Sequence, residues 1–103
     1  MPKKVYAGIE VEVDEEGYMT NMEQWTPDIA KEIARELGIE LTDAHWKVIN
    51  YLREKAKEGK LPTLRKLGKS GVVNIKELYQ LFPNGPLKKA AKIAGLPKPK
   101  GCV

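Results

Sequence analysis

The chain reads as an α+β domain: a small N-terminal β-hairpin or meander packed on a bundle of about five helices, ending in an extended C-terminal arm. Three features predict it. Apolar and acidic residues alternate near the N-terminus, apolar residues recur at helical spacing in five later stretches bounded by caps or breakers, and a proline-lysine segment closes the chain.

Over residues 5 to 19, Ile9, Val11 and Val13 fall on one side and Glu10, Glu12 and Asp14 on the other, the period of a half-buried strand. Asp14-Glu15-Glu16-Gly17 supplies a turn and Tyr18-Met19 a short return. A lone hairpin is marginal in water, so this one is expected to cover a helical core. The first helix opens at Thr26-Pro27-Asp28, with a hydroxyl N-cap, a proline at the first helical position and an acid in the first turn, and closes at Gly38. Ile29, Ile33 and Leu37 form its apolar stripe, flanked by Ala30 and Ala34. The second follows Thr42-Asp43 and runs to about Glu58, with Trp46, Ile49 and Leu52 inward and Val48 and Ala56 at the edges. A short third helix starts at Thr63, turns Leu64 and Leu67 inward and breaks at Gly68 and Gly71. Asn74 and Glu77 make a capping box for the fourth, and Pro83-Asn84-Gly85-Pro86 separates it from a fifth spanning Leu87 to Ala94, which Gly95 closes.

At 103 residues, with 42% hydrophobic and 31% charged residues, the chain fits one domain around one core. No apolar run approaches the ~20 residues of a membrane-spanning helix. Met1-Pro2-Lys3-Lys4-Val5 leads into acids rather than an apolar stretch, so no signal peptide is expected and a cytoplasmic location is. One cysteine and one histidine exclude an internal disulfide and a structural zinc site, and neither a metal nor another cofactor is expected. Nor does the chain hold a Gly-rich phosphate loop or a Ser/His/Asp arrangement whose spacing supports stand-alone catalysis.

The net charge of +4 is unevenly placed. The first sixteen residues hold five acids against two lysines, whereas from Lys60 onward ten Lys or Arg face one acid, Glu77. Such a half suits nucleic acid, an acidic protein surface, a small anion, or simply a solvated lysine face. Residues 1 to 95 read as the compact body and residues 96 to 103, Leu96-Pro97-Lys98-Pro99-Lys100-Gly101-Cys102-Val103, as an arm. Pro97 and Pro99 cannot continue a helix, and eight residues at roughly 3.1 Å each reach about 25 Å. A cysteine on such an arm suits a visiting nucleophile, because thiol exchange needs reach and exposure more than a preformed pocket. Lys98 and Lys100 would stabilise a thiolate or persulfide on Cys102, the carboxylate of Val103 would oppose this, and Gly101 adds backbone freedom beside the sulfur.

The stretch from Ala91 to Val103 closely resembles the C-terminal arm of the DsrC/TusE sulfur-relay family, whose members include the gamma subunit associated with dissimilatory sulfite reductase. The resemblance covers nearly the whole chain. His45-Trp46, Tyr51-Leu52-Arg53-Glu54, Pro62, Arg65-Lys66-Leu67, Lys76-Glu77-Leu78-Tyr79 and Leu81-Phe82-Pro83-Asn84-Gly85-Pro86 stand in the family's order and spacing, as does Asp28 with the helix behind it. The resemblance implies that Cys102 takes up sulfur as a persulfide and passes it on, with sulfur-donor and sulfur-acceptor proteins as partners: sulfurtransferases, a sulfite reductase or a tRNA-thiolation complex. Two-cysteine members carry a second cysteine eleven positions before the penultimate one, where this chain has Ala91. The resemblance therefore implies single-thiol relay, as in members that deliver sulfur toward tRNA thiolation, or an accessory role in sulfur oxidation or trafficking, without the internal disulfide or the trisulfide of the reductase cycle.

Two other readings stand beside this one. Leu61 to Phe82 looks like a helix-turn-helix, which would make the protein a nucleic-acid binder or, with a responsive thiol, a redox-sensitive regulator; its second helix, however, offers little basic density. His45 reads as a structural or capping residue rather than an activator of Cys102. Arg53, Arg65 and Lys66 are candidates for a surface where the arm docks or a partner binds.

Overall fold

In a computed structural model describing residues 2–99, the chain begins with an antiparallel hairpin of β1 (Lys3–Tyr6) and β2 (Ile9–Glu12) in the register Lys3↔Glu12 to Tyr6↔Ile9. A 3-10 turn (Met22–Gln24) follows, then five helices: α1 (Pro27–Glu36), α2 (Asp43–Lys57), α3 (Leu64–Gly68), α4 (Ile75–Leu81) and α5 (Pro86–Ile93). This is the α+β architecture read from the sequence, with an isolated bridge Val13↔Met19 extending the hairpin into a meander.

The hairpin differs from expectation in its turn. It closes at Ala7-Gly8, where φ is 52° and 76°, and not at Asp14–Gly17, which forms the second bend. Left-handed backbone at an alanine carries a steric cost and gives no sequence signal, which is why the pairing of Lys3–Tyr6 was not anticipated. The alternation itself holds, since Val11 and Val13 are fully buried. Ile9, beside the tip and beyond the helical layer, is 41% exposed. Tyr6 anchors the ribbon to α1: its hydroxyl donates to Glu36 at 3.1 Å, and Lys4 pairs with the same carboxylate at 3.5 Å. Burial is the main influence raising the Tyr6 pKa, and the hydrogen bond to Tyr6 is the main one raising that of Lys4.

The caps form where the sequence placed them. Thr26 accepts from the Ile29 N–H, Thr63 from Lys66, and Asn74 with Glu77 closes a reciprocal box. On α2 the inward face is rotated from the expected one: Val48, Ile49 and Leu52 are fully buried, while Trp46 is half-buried and His45 takes an inward place. His45 is tolerated there because both ring nitrogens are bonded. Nδ1 accepts from the Thr42 N–H at 3.0 Å and Nε2 lies 2.8 Å from the Leu81 carbonyl, which selects the neutral ring with its proton on Nε2. Its edge-to-face contact with Phe82, 5.1 Å between centroids, seats the imidazole against the core.

α5 forms the centre of the helical layer. It packs against α1, α2 and α4, and Leu87, Ala90, Ala91 and Ile93 are all buried. The small side chains of Ala90 and Ala91 allow that close approach.

Candidate functional site at the root of the arm

α5 ends at an αR residue, Ala94, followed by Gly95 at φ +71°. The left-handed glycine turns the chain back, and the Leu96 N–H donates to the Ala91 carbonyl at 3.0 Å, capping the helix. A side chain at position 95 has no room: a Cβ there would stand 2.3 Å from the Trp25 ring. Leu96 is fully buried.

Two residues from other parts of the chain hold this turn. The Trp25 indole N–H donates to the Ile93 carbonyl at 2.8 Å. The Arg53 guanidinium donates to the Ala94 carbonyl at 2.8 Å and to the Met22 carbonyl at 3.0 Å, with its carbon 4.1 Å from the centroid of the Trp25 ring. A cation at a helix C-terminus is favourable, and the planar fork bridges the Ala94 carbonyl to that of Met22, which also accepts from the Trp25 N–H. Desolvation lowers the Arg53 pKa from its ordinary value.

Beyond the clamp, residues 96–99 lie against the body. Pro97 is exposed and Pro99 is buried, and both border an apolar groove of about 490 Å³ with Met22, Ala56 and the Leu61–Thr63 segment. Lys98 meets both carboxylate oxygens of Glu16 at 2.9 Å. That hydrogen bond is the main influence raising the Lys98 pKa. Glu16 is presented by a bend in which Asp14 accepts from the Glu16 and Tyr18 N–H groups, and its own carbonyl receives the Lys92 ammonium at 3.0 Å. The second bend of the meander thus grips the arm root.

The residues singled out in the sequence are therefore distributed unequally. Lys98 has a carboxylate partner rather than a free ammonium, and Pro97 and Pro99 define the arm's path. Arg65 and Lys66 are exposed on α3; Lys66, but not Arg65, borders a hollow that shares Leu61, Pro62 and Thr63 with the arm groove. Lys100, Gly101 and Cys102 lie outside the described residues. His45 is occupied with Thr42 and Leu81, in keeping with a capping role. Trp25 and Glu16 were not anticipated. Each acts across more than sixty positions of sequence, and only Gly95, a helix stop, marked the place.

A separate hollow of about 510 Å³ lies around the connection between α1 and α2, and none of residues 96–99 lines it. The α3–α4 pair is present as a helix-turn-helix-like unit, but α4 exposes the apolar Ile75 (39%) and Tyr79 (49%). Lys76 is its one cation, so phosphate contacts have little to rest on there. Among the described residues no group of three or more His, Cys, Asp or Glu is placed to hold a metal, and no helix is long and apolar enough to cross a membrane.

A family model described as DsrC like protein matches residues 5–103. The chain belongs to the DsrC-like family. It is 45% identical to the sulfurtransferase TusE homolog of Haemophilus influenzae, over 93% of this chain and 95% of that protein. It is 40% identical to the dissimilatory-type sulfite reductase gamma subunit of Nitratidesulfovibrio vulgaris, over the whole of both. Among solved structures, DsrC of Allochromatium vinosum superposes with a TM-score of 0.83 at 44% identity, over 98% of this chain and 97% of that one. The oxidized gamma subunit from Archaeoglobus fulgidus gives 0.82 at 39% identity, over 99% and 100%. This DsrC-like chain has a single cysteine, and at position 91 a fully buried alanine.

Proposed function

We propose that the protein is a sulfur carrier of the cytoplasm that holds sulfane sulfur on Cys102 and hands it between partner proteins. The observation that carries this reading is the full-length family match, which runs through the arm to include Cys102. Relatives named sulfurtransferase TusE and sulfite reductase gamma subunit place the chain among sulfur-handling proteins. Its donors and acceptors are then sulfurtransferases, with a tRNA-thiolation complex or a sulfite reductase at the end of the relay.

The chemistry is two successive thiol exchanges. The Cys102 thiolate attacks the outer sulfur of a donor persulfide; the donor's S–S bond breaks, its thiolate leaves, and Cys102 carries the sulfur as a persulfide. An acceptor thiolate then attacks that terminal sulfur, the new S–S bond forms as the Cys102 one breaks, and the Cys102 thiolate is restored. No net oxidation occurs in either step, so no cofactor is required. The protein is a carrier, or co-substrate, rather than a stand-alone enzyme. With Ala91 where two-cysteine members have a thiol, loaded sulfur has no second internal cysteine to meet. The body of the domain docks, and Pro97 and Pro99 stiffen the arm, reducing the entropy lost when it enters a partner.

Intact-protein mass spectrometry after incubation with a low-molecular-weight persulfide tests the reading. The parent protein is expected to gain one sulfur atom that reductant removes, and Cys102→Ala to gain none. Equal gain by both, or none by either under conditions that load another single-thiol carrier, would overturn it.

A further inference from the structure

The Leu61–Thr63 segment borders both the arm groove and a second hollow of about 420 Å³. Its rim is basic: Lys55, Lys60 and Lys66 border it together with Tyr51, and no acidic residue does. The fold draws these cations together from separate places. Lys55 belongs to the last turn of α2, and the Lys60 N–H wraps back to the Lys55 carbonyl at 2.8 Å. Lys66 enters from α3 across the Leu61–Thr63 segment.

Like most lysines among the described residues, these three have no carboxylate partner. Lys3, Lys4, Lys31 and Lys98 each face a carboxylate, whereas among the described residues none pairs with Lys55, Lys60 or Lys66. Lys55 lies over the Tyr51 ring at 5.6 Å, which positions the ammonium without neutralising it. Glu54 borders a different hollow, together with Lys47, Asn50 and Tyr51. Three cations with no acid among them thus border the hollow next to the groove that holds Pro97 and Pro99, where an external anionic group can meet all three.

We infer that the hollow bordered by Lys55, Lys60 and Lys66 is the docking face for an acidic protein surface, a carboxylate-rich rim around the cysteine that exchanges sulfur with Cys102. The inference rests on the sulfur-carrier reading for what the partner does, and on the geometry for where it sits. A partner that takes in the tail must cover the surface from which the tail departs. Complementary charge at that rim speeds encounter and sets orientation before the thiols meet.

The test compares two triple variants of the full chain with equal net charge, +1 against the parent's +4: Lys55→Gln/Lys60→Gln/Lys66→Gln at the hollow, and Lys31→Gln/Lys69→Gln/Lys76→Gln away from it. The probe is a fluorescent Glu- and Ser-rich peptide without cysteine, with a Gln- and Ser-rich peptide as control, read by fluorescence anisotropy at low ionic strength. The hollow variant is expected to weaken binding of the acidic peptide roughly tenfold and the other variant less than about twofold. About 0.5 M salt should abolish the difference. Equal losses in the two variants would show that net charge, not this face, is responsible and would overturn the inference. So would an RNA hairpin that binds the parent more tightly than the peptide and loses that binding in the hollow variant, because the face would then belong to nucleic acid. Sulfur transfer from the persulfidated protein to the same peptide carrying one cysteine should follow the same order. Failure of Cys102 to load, with the anisotropy result intact, would sink the carrier reading and leave the acidic docking face standing.

Discussion

Two polar side chains on α2, eight residues apart, pin different segments to the same helix, and they do so in opposite ways. His45 is a neutral ring that receives from Thr42 and donates to Leu81, closing the start of its own helix onto the end of α4. Arg53 is a cation that donates to Ala94 and Met22 and stacks on Trp25, closing the end of α5 onto the segment that precedes α1. Both satisfy buried carbonyls. The His45 pin holds the start of α2 to the end of α4, where its ring also meets Phe82, whereas the Arg53 pin sits where α5 ends and the chain turns at Gly95. A polar pin inside the core serves stability, and the same device at a helix end also sets the direction in which the chain leaves the helix.

That contrast is most severely tested at Gly95, which the Arg53–Trp25 pair encloses. Gly95→Ala places a Cβ against the indole in a left-handed backbone, and a loss of about 3 kcal/mol in denaturant stability is expected. Combining it with Trp25→Ala should recover part of that loss if contact with the ring is responsible; no recovery would locate the whole cost in the backbone.

A smaller effect separates the two pins. His45→Leu and Arg53→Met should each lower stability by about 2 kcal/mol, because each leaves buried polar groups unpaired. Only Arg53→Met should also slow sulfur transfer per folded molecule, roughly tenfold, by releasing the arm root from its geometry. Persulfide transfer kinetics measured well below the unfolding midpoint of each variant check this. Equal transfer by both would reduce Arg53 to a second stability pin, and Arg53→Lys should restore little, since one ammonium does not reproduce the fork that spans two carbonyls.

The smallest expected effect is at the exposed Glu16–Lys98 pair. Glu16→Gln should leave the fold unchanged and increase hydrogen exchange at Leu96 and Lys98, an effect that added salt reproduces in the parent protein. The pH dependence has a definite sign. Because Glu16 raises the Lys98 pKa, the pair's contribution is complete below the ordinary lysine value and disappears as pH rises through the raised one. No loss is therefore expected from this lysine near neutral pH, and exchange at the arm root should rise only in strong alkali.

Much of this architecture was legible because its signals are local. Thr26-Pro27, Thr63, Asn74 with Glu77, and Gly95 each satisfy or end a helix using neighbours within a few positions, and each does so in the structure. The Ala7-Gly8 turn carries no such local signal, because its first residue is not one that favours left-handed backbone. On α2 the expected inward places of Ile49 and Leu52 hold, but His45 and not Trp46 is buried beside them, because the imidazole gains hydrogen bonds to Thr42 and Leu81 while the large indole is half-buried at the edge.

By itself the sequence determined the helices and their ends, a short β-ribbon at the start, a cationic second half, and one thiol close behind Pro97 and Pro99 without a second cysteine. Those properties follow from backbone sterics, side-chain period and composition, which need no knowledge of distant partners. The tertiary structure decided that Trp25 and Arg53 hold the arm root, that Glu16 meets Lys98, and that Lys55, Lys60 and Lys66 border one hollow. Those arrangements depend on which surfaces packing brings together: the Trp25 bond crosses 68 positions of chain, the Lys98 bond 82, and no local pattern encodes either.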